Sequence, residues 1–299
     1  MSFTANVGPD LPTTGSVELT FDRLLMPASI NRQTFQLQTL SGTVLTPNVA
    51  YDPVSRVVTV TPLPDNPFVT GQTYVLTIFP LQPGITAGQL GTGPGLIAID
   101  GATLNPPQPV NITFLAGTLV TPPAPTPIDY CTTIAPIFVG HCNGLACHGS
   151  DSTAAQGLVL TTPAGVASTA VGLDGMEVVA VGANTGPRPV AESPGAIFGL
   201  DMPIIDPGPG APAAGDPGDS WMMYKLLMAV PAPGDAGDIV PLSSTERATL
   251  ASLVPGREMP FPPNPGASLN TVALQLTVAQ LETMSTWIAQ GAFVPPSCP

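Results

Sequence analysis

Charge is scarce in this chain. Charged residues make up 9 % of its 299 residues, and one lysine (Lys225) stands with six arginines against 20 acidic side chains, giving a net charge of −13. So few cations cannot neutralise a row of phosphates, which argues against nucleic acid as a partner. The thinly spread acidity reads first as solubility, and it is compatible with a basic docking partner. Long apolar runs are also missing: Gly or Pro interrupts each within about ten residues, well short of the roughly 20 that span a bilayer, so no integral membrane protein is expected. The opening Met1-Ser2-Phe3-Thr4 has neither a basic nor an apolar leader region, so no signal peptide is expected in this chain. Histidine is limited to His141 and His148, and cysteine to Cys131, Cys142, Cys147 and Cys298.

Proline and glycine are plentiful, at 39 and 31 residues, while 43 % of the chain is hydrophobic. That combination predicts ordered loops and turns around a core rather than disorder. Period-two alternation marks Val17–Phe21, Phe35–Thr39, Val57–Thr61 and Tyr74–Ile78 as strands with one buried face. Turn signals at Asp52-Pro53, Asp65-Asn66-Pro67 and Gly71-Gln72 separate them, and six or seven such strands in about 100 residues favour a two-sheet sandwich. Across residues 10–116, the runs Val17–Asp22, Met26–Phe35, Tyr51-Asp52, Arg56–Pro62 and Gly71–Ile78 resemble the Ig-like domains of bacterial surface and secreted proteins. The resemblance implies an all-β spacer or adhesive module in which Tyr74 closes a tyrosine corner. A loop at 84–105 is longer than the family's.

After the stiff Pro-rich segment 118–128 the pattern changes to helices. Ser243–Glu246 and Thr277–Gln280 carry capping-box spacing ahead of apolar residues at helical intervals, and Gly291 is placed to stop the last helix. Asp219-Ser220 precedes a further helix from Trp221 to Leu227, and a short one through Ile134, Ile137 and Phe138 leads to Cys142. Residues 173–218, dense in Gly and Pro, are expected to be mostly loop.

Chemistry concentrates in His141-Cys142-Asn143-Gly144-Leu145-Ala146-Cys147-His148. Two thiols with an imidazole directly after the second are the requirement for covalent haem attachment, usually at C-x-x-C-H spacing and here at C-x4-C-H. Asn143-Gly144 suits a bulge that absorbs the extra residues. A Cys142–Cys147 disulfide in a surface loop and a crowded zinc site are the other readings of the same residues. The segment from 129 to 294 resembles bacterial mono-haem c-type cytochrome domains through Ile137-Phe138, His148-Gly149, Gly157–Leu160, Gly215–Leu226, Met259-Pro260, Leu276-Thr277 and Trp287–Ala292. The resemblance implies one haem c, thioether-linked to Cys142 and Cys147. His148 and Met259 would be its axial iron ligands, with Trp287 packed near the haem edge. Met202-Pro203 is the rival thioether, and bis-histidine ligation is not expected, since His141 is tethered beside the same haem face as His148. Cys131 and Cys298 bracket this half and are expected to pair, which together with haem c implies an oxidising compartment: periplasm, cell surface or outside the cell.

The expected fold is thus multidomain: an Ig-like β-sandwich over 1–117, a linker over 118–128 and a mainly α, cytochrome c-like haem domain over 129–299. The expected function is extracytoplasmic electron transfer, with a redox protein or neighbouring haem proteins as partners and a surface or filament assembly as a possible setting. Two alternatives stand beside it. One is an open-site, peroxidase-like haem enzyme; the other is a structural or adhesive surface protein whose cytochrome domain has degenerated.

Overall fold

In the computed structural model the described residues are 1–7, 10–82, 95–118, 125–143, 148–149, 158–171, 202–208, 214–232, 241–254, 258–260 and 275–299. All four strands marked by alternation form, as Val17–Phe21 (β3), Phe35–Thr39 (β4), Val57–Pro62 (β7) and Thr73–Ile78 (β8). Five more join them: Phe3–Asn6 (β1), Asp10–Leu11 (β2), Val44–Leu45 (β5), Pro47–Asp52 (β6) and Val110–Ala116 (β9). They make a four-stranded sheet in the order β1-β3-β7-β6 and a five-stranded sheet in the order β2-β9-β8-β4-β5. Pairing is antiparallel except between β2 and β9. Alternate residues of these strands bury Val17, Leu19, Phe21, Phe35, Leu37, Val58, Val60, Tyr74, Leu76 and Phe114. Period-two patterning thus becomes the core of the first compact unit, Met1–Pro125.

Two tyrosines tie loops to this core. The Tyr74 hydroxyl accepts from the Val69 N–H at 2.8 Å and donates to Gln72 Oε1 at 3.1 Å. It bonds back to the upstream backbone, in the manner of a tyrosine corner. Its ring stands 4.7 Å from that of Phe68 and 5.8 Å from that of Phe114. The Tyr51 hydroxyl accepts from the buried Leu25 N–H at 3.0 Å.

In the second unit, Thr126–Pro299, helices are short: Ala135–His141 (α1), Pro163–Val166 (α2), Trp221–Leu227 (α3), Ser244–Leu253 (α4) and Val278–Ala289 (α5). This corrects the expected fold class, an Ig-like sandwich followed by a mainly α, cytochrome c-like domain. Among the described residues the chain is mixed α/β, with two β-sheets and five short helices, and the C-terminal unit is not mainly α. The physical reason lies in Pro and Gly. Helix α3 runs out ahead of Pro231 and Pro233, and α4 is followed by Pro255-Gly256, so neither can propagate past about three turns.

Where helices do form, their signals are the expected ones. Both capping boxes are complete: the Ser243 and Thr277 hydroxyls accept from the Glu246 and Gln280 N–H groups, and those side chains return to the cap backbone. Beyond α5, Gly291 (φ 95°) and Ala292 (φ 48°) are left-handed. Their N–H groups reach the carbonyls of Ile288 and Trp287, at 2.8 and 3.0 Å, which is a Schellman stop. The loops are fixed to these helices by close backbone approach. A Cβ on Gly215 would collide with the carbonyl oxygens of both Asp206 and Ile288. The Gly215→Ala variant is therefore expected to lose about 3 kcal/mol, the upper end for overpacking against atoms that cannot swing away. Urea denaturation of the two proteins measures this directly.

Candidate haem-attachment site

Helix α1 delivers the first cysteine. Its buried Ile137 and Phe138 face the core, and the Cys142 N–H bonds the Phe138 carbonyl at 2.8 Å. Cys142 is thereby held at the helix C-terminus, half-buried. Cys147 lies outside the described residues. His148 lies within them and is fixed by three bonds. Its N–H donates to the Cys142 carbonyl at 3.0 Å, its carbonyl accepts from the Leu160 N–H at 2.9 Å, and its ring Nδ1 lies 3.2 Å from the Leu158 carbonyl. A carbonyl can only accept, so Nδ1 carries the proton and Nε2 of the neutral ring keeps its lone pair. Burial, with a smaller push from the nearby Lys225 ammonium, holds the His148 imidazole below its usual pKa, against the opposing Leu158 bond. Neutral imidazole is the form that ligates metal, and a backbone acceptor on the other nitrogen is the usual orienting contact.

Lys225 links this ring to the expected thioether. It sits in α3, 9 % exposed, and burial pushes its ammonium down to about 8, with Glu258 pulling the other way. Its carbonyl accepts from the Met259 N–H at 3.1 Å. The backbone of Met259 is therefore held on the residue whose charge is felt at His148. Met202 is placed differently. It is 5 % exposed, and the adjoining Pro203 and Ile204 carbonyls accept from Trp221 and Met222 at the opposite end of α3. An open cleft of about 460 Å³ is lined by Met228, Arg247, Glu258 and Pro260.

The remaining expected residues are placed as follows. Cys131 and Cys298 form a disulfide across a sequence separation of 167, with Cα atoms 5.4 Å apart. Trp287 is 1 % exposed, its ring centroid 5.9 Å from that of Tyr130 and 6.3 Å from that of Phe138. Its indole N–H donates to the Phe293 carbonyl at 3.2 Å. These contacts make Trp287 the packing centre between α5 and the segment leading into α1. His141 Nε2 lies 3.0 Å from Gln280 Nε2. Because Gln280 Oε1 already accepts from the Thr277 N–H, its amide NH2 faces the ring and His141 is the acceptor, committed to the start of α5.

Sequence reasoning missed several contributors. Leu158 acts through its carbonyl, which no side-chain pattern reveals. Lys225 was legible in principle, as the chain's single lysine inside an apolar helical run. The Tyr130 hydroxyl is the one buried side-chain polar atom among the described residues that has no hydrogen-bond partner, and burial pushes its phenol up to about 12. Among the described residues no cluster of three or more His, Cys, Asp or Glu is arranged to hold a bare metal ion.

No protein-family model and no curated protein sequence matches the chain. Among solved structures, it is similar to the N-terminal part of the bacterial S-layer protein SbsC, at 18 % identity over 39 % of this chain and 24 % of that one, TM-score 0.28. Domains 1–6 of the surface layer protein SbsC give 18 % identity over 43 % of this chain and 14 % of theirs, TM-score 0.28. CopC from Methylosinus trichosporium OB3b gives 11 % identity over 41 % and 100 %, TM-score 0.27. At such scores these likenesses carry no functional inference.

The His148 environment sets a pH dependence. Its folded-state pKa lies below the unfolded one, so on acidification through about 6.5 the unfolded chain takes up a proton that the folded chain resists. Stability should therefore be full above about pH 7 and decline as pH falls below 6.5. Urea midpoints of the haem-free protein measured from pH 8 to 5 should show that decline, and His148→Gln should flatten it.

Proposed function

We propose that the second unit carries one covalently attached c-type haem, held by Cys142, Cys147 and His148, and serves as an electron-transfer module outside the cytoplasm. The observation that carries this reading is the His148 ring. It follows a cysteine in C-x4-C-H spacing and is anchored through Nδ1 on the Leu158 carbonyl, with burial favouring the neutral form. That arrangement suits an imidazole presenting Nε2 to iron. A haem bound there would supply one-electron chemistry, cycling between ferric and ferrous iron.

The chain's own residues have defined parts in this proposal. Cys142, at the end of α1, and Cys147 would provide the thiols. The Leu158 carbonyl orients His148, which together with Met259, whose backbone is anchored on the Lys225 carbonyl, would hold the haem iron. A thioether there would shield the iron from exogenous ligands and raise its potential, which would favour electron transfer over peroxidase-like chemistry. Met202 remains the competing thioether. Trp287 belongs to the core of the unit, and its part is to hold α5 against the helix that bears Cys142. The proposed compartment rests on the Cys131–Cys298 disulfide, which persists in oxidising surroundings such as the periplasm or cell surface. No helix among the described residues is long and apolar enough to cross a membrane. One haem moves one electron, so a redox protein or neighbouring haem proteins complete the proposal.

The test is chemical. Protein made in a host with a haem-attachment pathway should be red, and the colour should stay with the polypeptide through acid–acetone extraction. Cys142→Ser together with Cys147→Ser should abolish it. In the coloured protein, Met259→Ala should remove the long-wavelength thioether-to-ferric band, lower the potential and admit cyanide, with haem still attached. Colourless protein carrying a Cys142–Cys147 disulfide would reject the haem reading in favour of a structural role. Haem that binds cyanide without mutation would favour the open-site enzyme.

A further inference from the structure

The three arginines of the first unit are used differently. Arg23 lies 3.5 Å from the Asp100 carboxylate. Arg56 is 2 % exposed and donates to the Asp22 carbonyl at 2.7 Å. Arg32 is exposed, and among the described residues its guanidinium makes one bond, from Nε to the Pro47 carbonyl at 2.8 Å. That bond pins the group by its inner nitrogen and leaves the two terminal amino groups as a fork. Such a fork takes a carboxylate through two parallel hydrogen bonds.

Arg32 lines a cleft of about 390 Å³ together with Asn31, Gln33, Asn48 and Val49. Both walls are held from behind. On one side Asn31 Oδ1 accepts from the N–H groups of Gln33 and Thr34, both at 2.9 Å, and its Nδ2 donates to the Ala28 carbonyl. Thr34, fully buried, accepts from the Gly95 N–H through its hydroxyl at 3.0 Å. On the other side Asn48 and Val49 belong to β6 and pair with Thr61 and Val60 of β7. Arg32 joins the two walls through Pro47. Gln33 and Asn48 are exposed, and among the described residues their carboxamides have no hydrogen-bond partner.

We propose that this cleft binds a sugar acid, with the carboxylate of a uronic acid unit on the Arg32 fork and its hydroxyls on Gln33 and Asn48. The lining selects that chemistry. A pinned guanidinium calls for a planar anion. Each carboxamide is both donor and acceptor, and a hydroxyl answers both roles. A second carboxylate would only accept, leaving Gln33 Oε1 and Asn48 Oδ1 against lone pairs. Val49 offers an apolar surface to the C–H face of a sugar ring. The charge of the chain does not oppose such a ligand locally, because only six of its 20 acidic residues lie in the first unit. The acid on β6, Asp52, stands at the far end of the strand from Pro47 and accepts from the Val54 N–H and the Ser55 hydroxyl. The volume is near the lower bound of small-molecule sites, about 300 Å³. The proposed site is confined to the first unit and is independent of the haem reading.

Titration of the full chain with sodium galacturonate, followed by heteronuclear NMR, tests the proposal. The side-chain amide signals of Gln33 and Asn48 should move, with a Kd on the order of 10⁻³ M. Galactose lacks the carboxylate and acetate lacks the hydroxyls, so each should bind at least about tenfold more weakly. Arg32→Lys keeps the charge without the fork and should weaken binding about fivefold, while Arg32→Gln should abolish it. Gln33→Ala, which breaks no bond within the protein, should weaken it about threefold. Arg23→Gln removes an arginine of the same unit outside the cleft and should leave affinity within about twofold. Backbone spectra of the variants confirm that each is folded. Digalacturonate binding at least as tightly as the monomer assigns a polysaccharide as the source, weaker binding assigns the free acid, and either result upholds the site. The proposal is overturned if galacturonate moves no signal at roughly 50 mM, or if galactose or acetate binds as tightly. It is also overturned if Arg32→Gln costs no more affinity than Arg23→Gln.

Discussion

Unmet backbone hydrogen bonds are the constraint on which the second unit depends. A segment this rich in proline and glycine does not place its peptide groups in long helices, yet among the described residues the loops at 202–208 and 215–220 are largely buried, and buried N–H and C=O groups need partners. Side chains supply them. Arg247 extends one guanidinium nitrogen to the carbonyls of Leu227, Met228 and Ala229, finishing α3 where no further helical turn exists to do so. Asp206, 8 % exposed, accepts from the Gly208 and Asp216 N–H groups, while Ser220 links Asp206 and Asp216 through their backbones. The Tyr224 hydroxyl closes on the Gly218 carbonyl at 2.8 Å. Gln290 ties the end of α5 to Thr126 and Ile128 at the start of the unit. At the buried Asp206 N–H and Gly218 carbonyl, removing the Ser220 or Tyr224 hydroxyl leaves a peptide group unsatisfied as well as losing a bond, which is why such contacts matter more than their number suggests.

The candidate site follows the same logic. His148 is oriented by a loop carbonyl, Met259 by a helix carbonyl, and His141 by a capping glutamine. None of the three is positioned through a charged contact. Burying Lys225 carries a desolvation cost, visible in its depressed pKa, and its backbone carbonyl holds the Met259 N–H. Burial is the main cause that keeps the His148 imidazole a neutral lone-pair donor, with the Lys225 ammonium adding a smaller push the same way.

Much of the first unit was legible because its signal is local. Val17–Phe21 and Phe35–Thr39 alternate apolar and polar residues, and alternation fixes both the strand and its buried face. The two-residue strands β2 and β5 are set by pairing with distant partners, which short segments do not encode. In the second unit the capping boxes at Ser243 and Thr277 were readable, since a cap is a short-range interaction. The overall class was misread because recognisable helix starts say nothing about helix length, which Pro and Gly cut short. The cysteine pairing followed from inventory. The Leu158 contact could not be anticipated, because a backbone carbonyl has no sequence signature. Trp287, expected near a cofactor's edge, has Tyr130, Phe138 and the Phe293 carbonyl among its neighbours.

The Cys131–Cys298 bridge has a mechanical consequence. It joins points 167 positions apart in sequence whose Cα atoms are 5.4 Å apart. Tension applied along the chain on either side of this pair travels through the sulfur–sulfur bond, and the enclosed residues bear none of it. The enclosed part, including α1, His148, α3 and α5, can therefore keep its geometry under a load that would extend an unbridged domain.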